Sequence, residues 1–191
     1  MIKALYRRLN HCNDLAVRIS KANTAQLQQL KAELAELIGT PTGCYTMGIP
    51  AVLSTLGVIV SFGIPQLWLG YKVSAALGQP EENVFIWVVL IALLFSGING
   101  MTMFLIGKGL MRAVQVHLTL AVMSLVLTTV YLLTALSGAS VQGVSLIAAL
   151  ISIFMLLLSG YCIHSISFYK MLLFTLHNRA RRKLLHQTRK T

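Results

Sequence analysis

Residues 113–169 read AVQVHLTLAVMSLVLTTVYLLTALSGASVQGVSLIAALISIFMLLLSGYCIHSISFY, 57 residues without one formal charge. An element that faces water needs polar or charged residues along one side, and this run has too few. Lipid is the solvent that accepts it. A helix rising about 1.5 Å per residue needs roughly 20 residues to cross a hydrocarbon core about 30 Å thick, so the run is too long for one crossing and suits two. Ser137, Gly138, Ala139, Ser140, Val141, Gln142 and Gly143 divide it with small and polar residues, as a tight turn between antiparallel helices requires.

The deficit of charge extends in both directions. After Glu82 the remaining 109 residues contain no Asp or Glu, and 56% of the whole chain is hydrophobic. The mean hydropathy is +0.74. Two further apolar runs, 49–69 and 84–106, join 114–136 and 144–164 as spans. The expected fold is therefore all-α and integral to the membrane: a four-helix transmembrane bundle over residues 45–169, with cytoplasmic N-terminal helices in 1–44 and a basic helical C-terminal extension over 170–191. A membrane body without carboxylates also lacks the usual proton carriers and cation ligands of pumps and exchangers.

Orientation follows from Lys and Arg, because short loops rich in them stay in the cytoplasm. Lys3, Arg7, Arg8, Arg18, Lys21 and Lys31 precede the first span, Lys108 and Arg112 lie in the middle loop, and seven more fall in residues 170–191. The remaining one, Lys72, shares its loop with Glu81 and Glu82. Both termini are expected in the cytoplasm of a bacterial inner membrane protein. The first forty residues show no apolar core with a cleavage site, so the first span is expected to act as its own insertion signal. Cys12, Cys44 and Cys162 match no zinc or redox spacing and read as small apolar residues.

Leu5, Leu9, Cys12, Ala16 and Ile19 line one helical face. Asn23 with Gln26 three residues on reads as a capping box, and Gly39 with Pro41 as a stop. Between them Leu27, Leu30, Leu34 and Leu37 form a seam, either packed against the protein and membrane or used for self-association or a partner. Pro65, near the exit of the first span, predicts a kink that frees a backbone carbonyl for neighbouring helices to satisfy. Trp68, Tyr71 and Trp87 read as an interfacial aromatic belt. No Gly or Pro occurs in residues 165–191, so the fourth span is expected to run on as a basic amphipathic helix.

The polar residues of span two, Ser96, Gly97, Asn99, Gly100 and Thr102, suit a helix-packing seam or an oligomer interface, since small residues admit close approach and a buried Asn seeks an interhelical hydrogen bond. A pore lined by Asn99 and Thr102 is the other use of the same cluster. His117 and His164 could meet near the cytoplasmic side as an imidazole pair. Catalysis finds no motif: there is no Gly-rich phosphate loop, no HExxH and no paired carboxylates, the sole aspartate is Asp14, and Ser159 with His164 carries no supporting pattern. No metal spacing or cofactor fingerprint is present. Lys108, Arg112, Lys170, Arg179, Arg181, Arg182 and Lys183 are candidates for anionic headgroups or an acidic cytoplasmic protein. Specific nucleic-acid recognition is not indicated, because the tail lacks aromatics after Phe174 and any recognition motif.

In outline, with four spans, both ends inside, short outer loops and an excess of positive charge, the chain resembles the small membrane immunity proteins of pore-forming bacterial toxins. It also looks like the membrane subunits of two-component bacterial defence or secretion systems. This likeness covers the whole chain but rests on no diagnostic residue and transfers no functional position. The function it implies is non-catalytic: a homo-oligomeric membrane protein acting by protein contact, with membrane lipids, a cytoplasmic protein or a membrane-active toxin as partners. An immunity protein would meet its toxin within the bilayer or at the Lys72 to Asn83 loop, whereas a subunit would use its basic tails and the Lys108 to Arg112 loop. The alternative is a small oligomeric channel or transporter.

Overall fold

The computed structural model describes residues 2–39, 48–137 and 143–189. Pro41, Cys44 and the turn residues Gly138, Ala139, Ser140, Val141 and Gln142 lie outside them. The described residues are 89% helical, with no strand, and include four helical segments long and apolar enough to cross a membrane: 49–76, 81–107, 111–136 and 146–164. Two compact units form, one from residues 1–52, 102–115 and 161–191, the other from 53–101 and 116–160.

The first unit is built on α1 (Ile2–Lys21), α2 (Thr24–Ile38) and α8 (Ile166–Thr188). Asn23 separates the first two as expected. Its Oδ1 accepts from Gln26 N at 3.0 Å, and Gln26 Oε1 accepts from Asn23 N at 3.1 Å, so two orphan donors are satisfied reciprocally. Gly39 then takes φ +71° and its N–H returns to the Ala35 carbonyl, the left-handed stop that only glycine adopts freely. α1 and α2 both pack on α8. Cys12, Leu15, Ala16 and Ile19 of α1, Leu27, Leu30, Leu34 and Ile38 of α2, and Phe168, Leu172, Leu173 and Leu176 of α8 are buried.

Each fully buried Leu or Ile contributes about 1.5–3 kcal/mol, so this face dominates the unit's stability. The α2 stripe closes on Ile38, with Leu37 left 44% exposed. A straight helix of 3.6 residues per turn brings position 38, eleven residues after Leu27, almost back into line, whereas a 3.5-residue seam would favour position 37. Burial pushes the Cys12 thiol up to about 12, which keeps it protonated and inert. His177 is held below its ordinary value by burial and by the nearby positive Lys31 and Arg181.

The fourth span does not run on as one helix. α7 (Leu146–His164) stops, and Ser165 takes an extended conformation, its Oγ donating to the Cys162 carbonyl at 2.7 Å and accepting from Phe168 N at 3.0 Å. An N-cap serine thus opens a new helix, which uses its leucines to cover α1 and α2.

Of the second unit's helices, α3 (Ile49–Gly63) and α4 (Gln66–Ala76) make up the first span, and a short 3-10 turn (Glu81–Asn83) leads into α5 (Val84–Gly107), followed by α6 (Met111–Leu136). Pro65 interrupts the first span as its missing N–H requires. Val58, Phe95 and Leu120 form one apolar cluster of this unit, with the Phe62 and Phe95 rings stacked at 3.7 Å. Trp68 departs from the belt reading. It is buried against Tyr131 and Ala149, ring centroids 5.8 Å apart for Trp68 and Tyr131, while Trp87 stays half exposed with its Nε1 donating to Gln79 Oε1. Hydropathy locates a tryptophan's depth along the membrane normal but not the side of the helix it occupies.

Candidate functional site

The polar interior of the second unit begins with Pro65. A proline at that position cannot donate to the carbonyl four residues earlier, which belongs to Ser61. Thr128 Oγ1 and Ser152 Oγ donate to it instead, at 3.2 and 2.9 Å. The three side chains also meet one another: Ser61 Oγ lies 3.0 Å from Thr128 Oγ1 and 3.3 Å from Ser152 Oγ, and the latter two are 2.9 Å apart. Three hydroxyl protons serve five close contacts, and all three residues are fully buried. α3, α6 and α7 are thereby tied together around one freed carbonyl.

A second layer lies two helical turns away on α3 and on α7, about 10 Å at 1.5 Å per residue. Ser54 Oγ is 2.8 Å from His117 Nε2 and 2.9 Å from Ser159 Oγ, again joining α6, α3 and α7. Val58, on α3 between the layers, is fully buried in the apolar cluster with Phe95 and Leu120. Gly57 permits the approach, because a Cβ there would fall 2.5 Å from the Met155 carbonyl oxygen and 2.9 Å from Ser159 Cβ.

A serine hydroxyl 2.8 Å from an imidazole has the spacing of a nucleophile and its base. The constellation stops there. His117 Nδ1 has no hydrogen-bond partner among the described residues, so no carboxylate orients the ring. The imidazole partner is His117 for Ser54; the carbonyl of His164 accepts from Arg8 Nη1 at 3.1 Å in the first unit. Among the described residues no cluster of His, Cys, Asp or Glu could hold a metal ion. What the two layers do is fasten helices where hydroxyls have no water to turn to.

Thr128→Val preserves shape and removes one donor from the Ser61 carbonyl. It is expected to cost about 1–2 kcal/mol, the upper range for interhelical hydrogen bonds in membranes, and the cost should shrink when Pro65→Ala restores the missing N–H. A double-mutant cycle on detergent melting measures that coupling; additive effects would refute the link between Pro65 and the hydroxyls.

The span-two cluster divides by face. Asn99 and Thr102 are buried, Ser96 is partly covered, and Gly97 and Gly100 are exposed, with no atom within 4 Å of where their Cβ would stand. Asn99 bonds within its own helix, Nδ2 donating to the Phe95 carbonyl at 2.9 Å, and its Oδ1 has no partner among the described residues. The expected interhelical bond of Asn99 is thus replaced by an intrahelical one.

The basic residues divide too. Lys183 Nζ donates to the carbonyls of Ile19, Ser20 and Ala22 at 2.9, 2.7 and 3.1 Å, closing the end of α1. Arg179 Nη1 donates to Gly109 O at 3.0 Å, and Arg182 Nη2 to Lys108 O at 3.1 Å. Cations at helix C-termini are favourable to the helix dipole, so these three have structural work that composition did not reveal. Arg181, Arg112 and Lys108 are exposed and Lys170 is partly exposed. Of the seam, Leu27, Leu30 and Leu34 are buried within the chain. No family model matches this chain, and no curated protein and no solved structure matches it.

Proposed function

We propose that this is a non-catalytic, multi-pass protein of a bacterial inner membrane, its termini cytoplasmic, that acts by protein contact as a homo-oligomer. The observation that carries the reading is α5. It is the least covered of the four spans, and its Ser96, Gly97 and Gly100 leave a shallow face on which a second helix can lie. The polar interior favours contact over conduction: its hydroxyl layers are closed by bonds to one another and flank the buried Val58.

Gly97 and Gly100 are where the oligomer would be most sensitive. Gly97→Leu with Gly100→Leu is expected to shift the detergent-solubilised protein to monomer, with little change in melting temperature because no described residue lies within 4 Å of either Cβ position. Multi-angle light scattering reads the mass. An unchanged mass, or a wild type already monomeric, ends the homo-oligomer reading. The defence, immunity or secretion role rests on outline alone, and exchange of residues 72–83 separates its versions: loss of toxin protection with retained cytoplasmic partner supports immunity, and the converse supports a recruiting subunit.

A further inference from the structure

We propose that the α5–α6 turn and the facing part of α8 bind the phosphate of an anionic phospholipid, whose chains lie along Phe104 and Leu110. The proposal rests on the membrane reading of the spans and is independent of the oligomer. Depth is set by the chain itself. Only residues 108–110 join the segments 81–107 and 111–136, so the turn has no length with which to leave the headgroup layer.

Positive charge is concentrated at that depth. Arg179 and Arg182 are each anchored by one guanidinium N–H to the carbonyls of Gly109 and Lys108. A guanidinium carries five donors, so the anchoring fixes the groups and leaves others for a phosphate, which arginine recognises bidentately. Lys108 Nζ stands 4.3 Å over the Phe104 ring, and Arg112 follows in the first turn of α6. No Asp or Glu occurs from residue 83 to the end of the chain, and Glu33 is paired with Arg18 in α1 and α2.

The turn is also shaped for this approach. Gly109 has φ +78°, and a Cβ on it would lie 3.0 Å from the Thr175 carbonyl oxygen, so glycine alone lets α8 bring its arginines onto the turn. Beside the cations, Phe104 is 57% and Leu110 38% exposed. Cations with an apolar flank at headgroup depth fit an amphiphile better than an acidic protein, which would offer no chains to cover the flank. Helix capping accounts for one N–H of each arginine but not for Lys108 and Arg112, neither of which donates to a carbonyl among the described residues.

The test uses the full-length protein in nanodiscs of phosphatidylcholine with a minor fraction of phosphatidylglycerol, followed by native mass spectrometry of retained lipid. Phosphatidylglycerol is expected to be enriched on the protein, and Lys108→Gln with Arg112→Gln to lower that enrichment about fivefold per charge removed. This double variant spares the arginine anchors, so its melting temperature should hold and its oligomeric mass should not change. Equal retention of the two lipids, or an unaltered preference in the double variant, overturns the site. Displacement of the lipid by millimolar inorganic phosphate would make it a free-phosphate site, and binding of an acidic peptide without lipid preference would make it a protein surface; either overturns the lipid assignment. A chain that is monodisperse without detergent would instead remove the membrane reading underneath it.

Discussion

Gly57→Leu is expected to give a protein that still inserts but melts about 10 °C below the parent in detergent, with loss of its compact gel-filtration peak. The Cβ alone would sit 2.5 Å from the Met155 carbonyl oxygen, and a backbone atom has nowhere to move except by displacing α7. Overpacking of this kind costs about 1–3 kcal/mol. Displacing α7 also opens Ser54 to Ser159 and strains the Ser61, Thr128 and Ser152 cluster, where each interhelical bond contributes roughly 0.6–1.7 kcal/mol. Gly63→Leu provides the control on the same helix, because nothing lies within 4 Å of its Cβ position. Two variants with the same melting temperature would show that α3 and α7 do not meet at Gly57.

Lys183→Met has the largest expected effect in the first unit. It keeps a long flexible stem and deletes an ammonium that serves three carbonyls at the end of α1. A hydrogen bond to a charged group contributes about 1.5–3 kcal/mol. Amide hydrogen exchange in α1 and α2 is the measurement, and its protection should fall about 30-fold, with the second unit unaffected. Lys183→Arg retains the charge in a forked form that does not reproduce a point donor to three oxygens, so partial recovery is expected. Unchanged protection would mean that the leucine faces hold the helices without this tie.

Most of the helical framework was legible because long apolar runs, the Asn23 box and the Gly39 stop act locally. The proline argument also carried through: Pro65 frees a carbonyl, and neighbouring helices answer it with Thr128 and Ser152. The identity of those answering residues was harder to read. Ser54 and Ser61 on α3, like Ser152 and Ser159 on α7, are seven apart and so share a face; that spacing is the available signal, and it is fainter than the dense cluster around Asn99. The polar residues of span two are visible as composition but split between a buried and an exposed side.

Charge misled in the tail for a different reason. A run of Lys and Arg near an anionic membrane suggests a solvated basic face, and only long-range packing of α8 against α1 and against the Gly109 turn assigns Arg179, Arg182 and Lys183 to carbonyls. Ser165 was the local clue to that packing. A serine between His164 and a fresh set of leucines is an N-cap, and it ends α7 although residues 165–191 hold no glycine or proline.

The break at Ser165 has a consequence for synthesis. The leucines of α1 and α2 leave the ribosome early, yet the helix that covers them begins at residue 166. At 5–20 residues per second the nascent chain waits on the order of ten seconds between the two events. During that interval the amino-terminal hairpin carries an unshielded oily stripe, which marks an unfinished or truncated chain for chaperones and proteases until the final helix arrives.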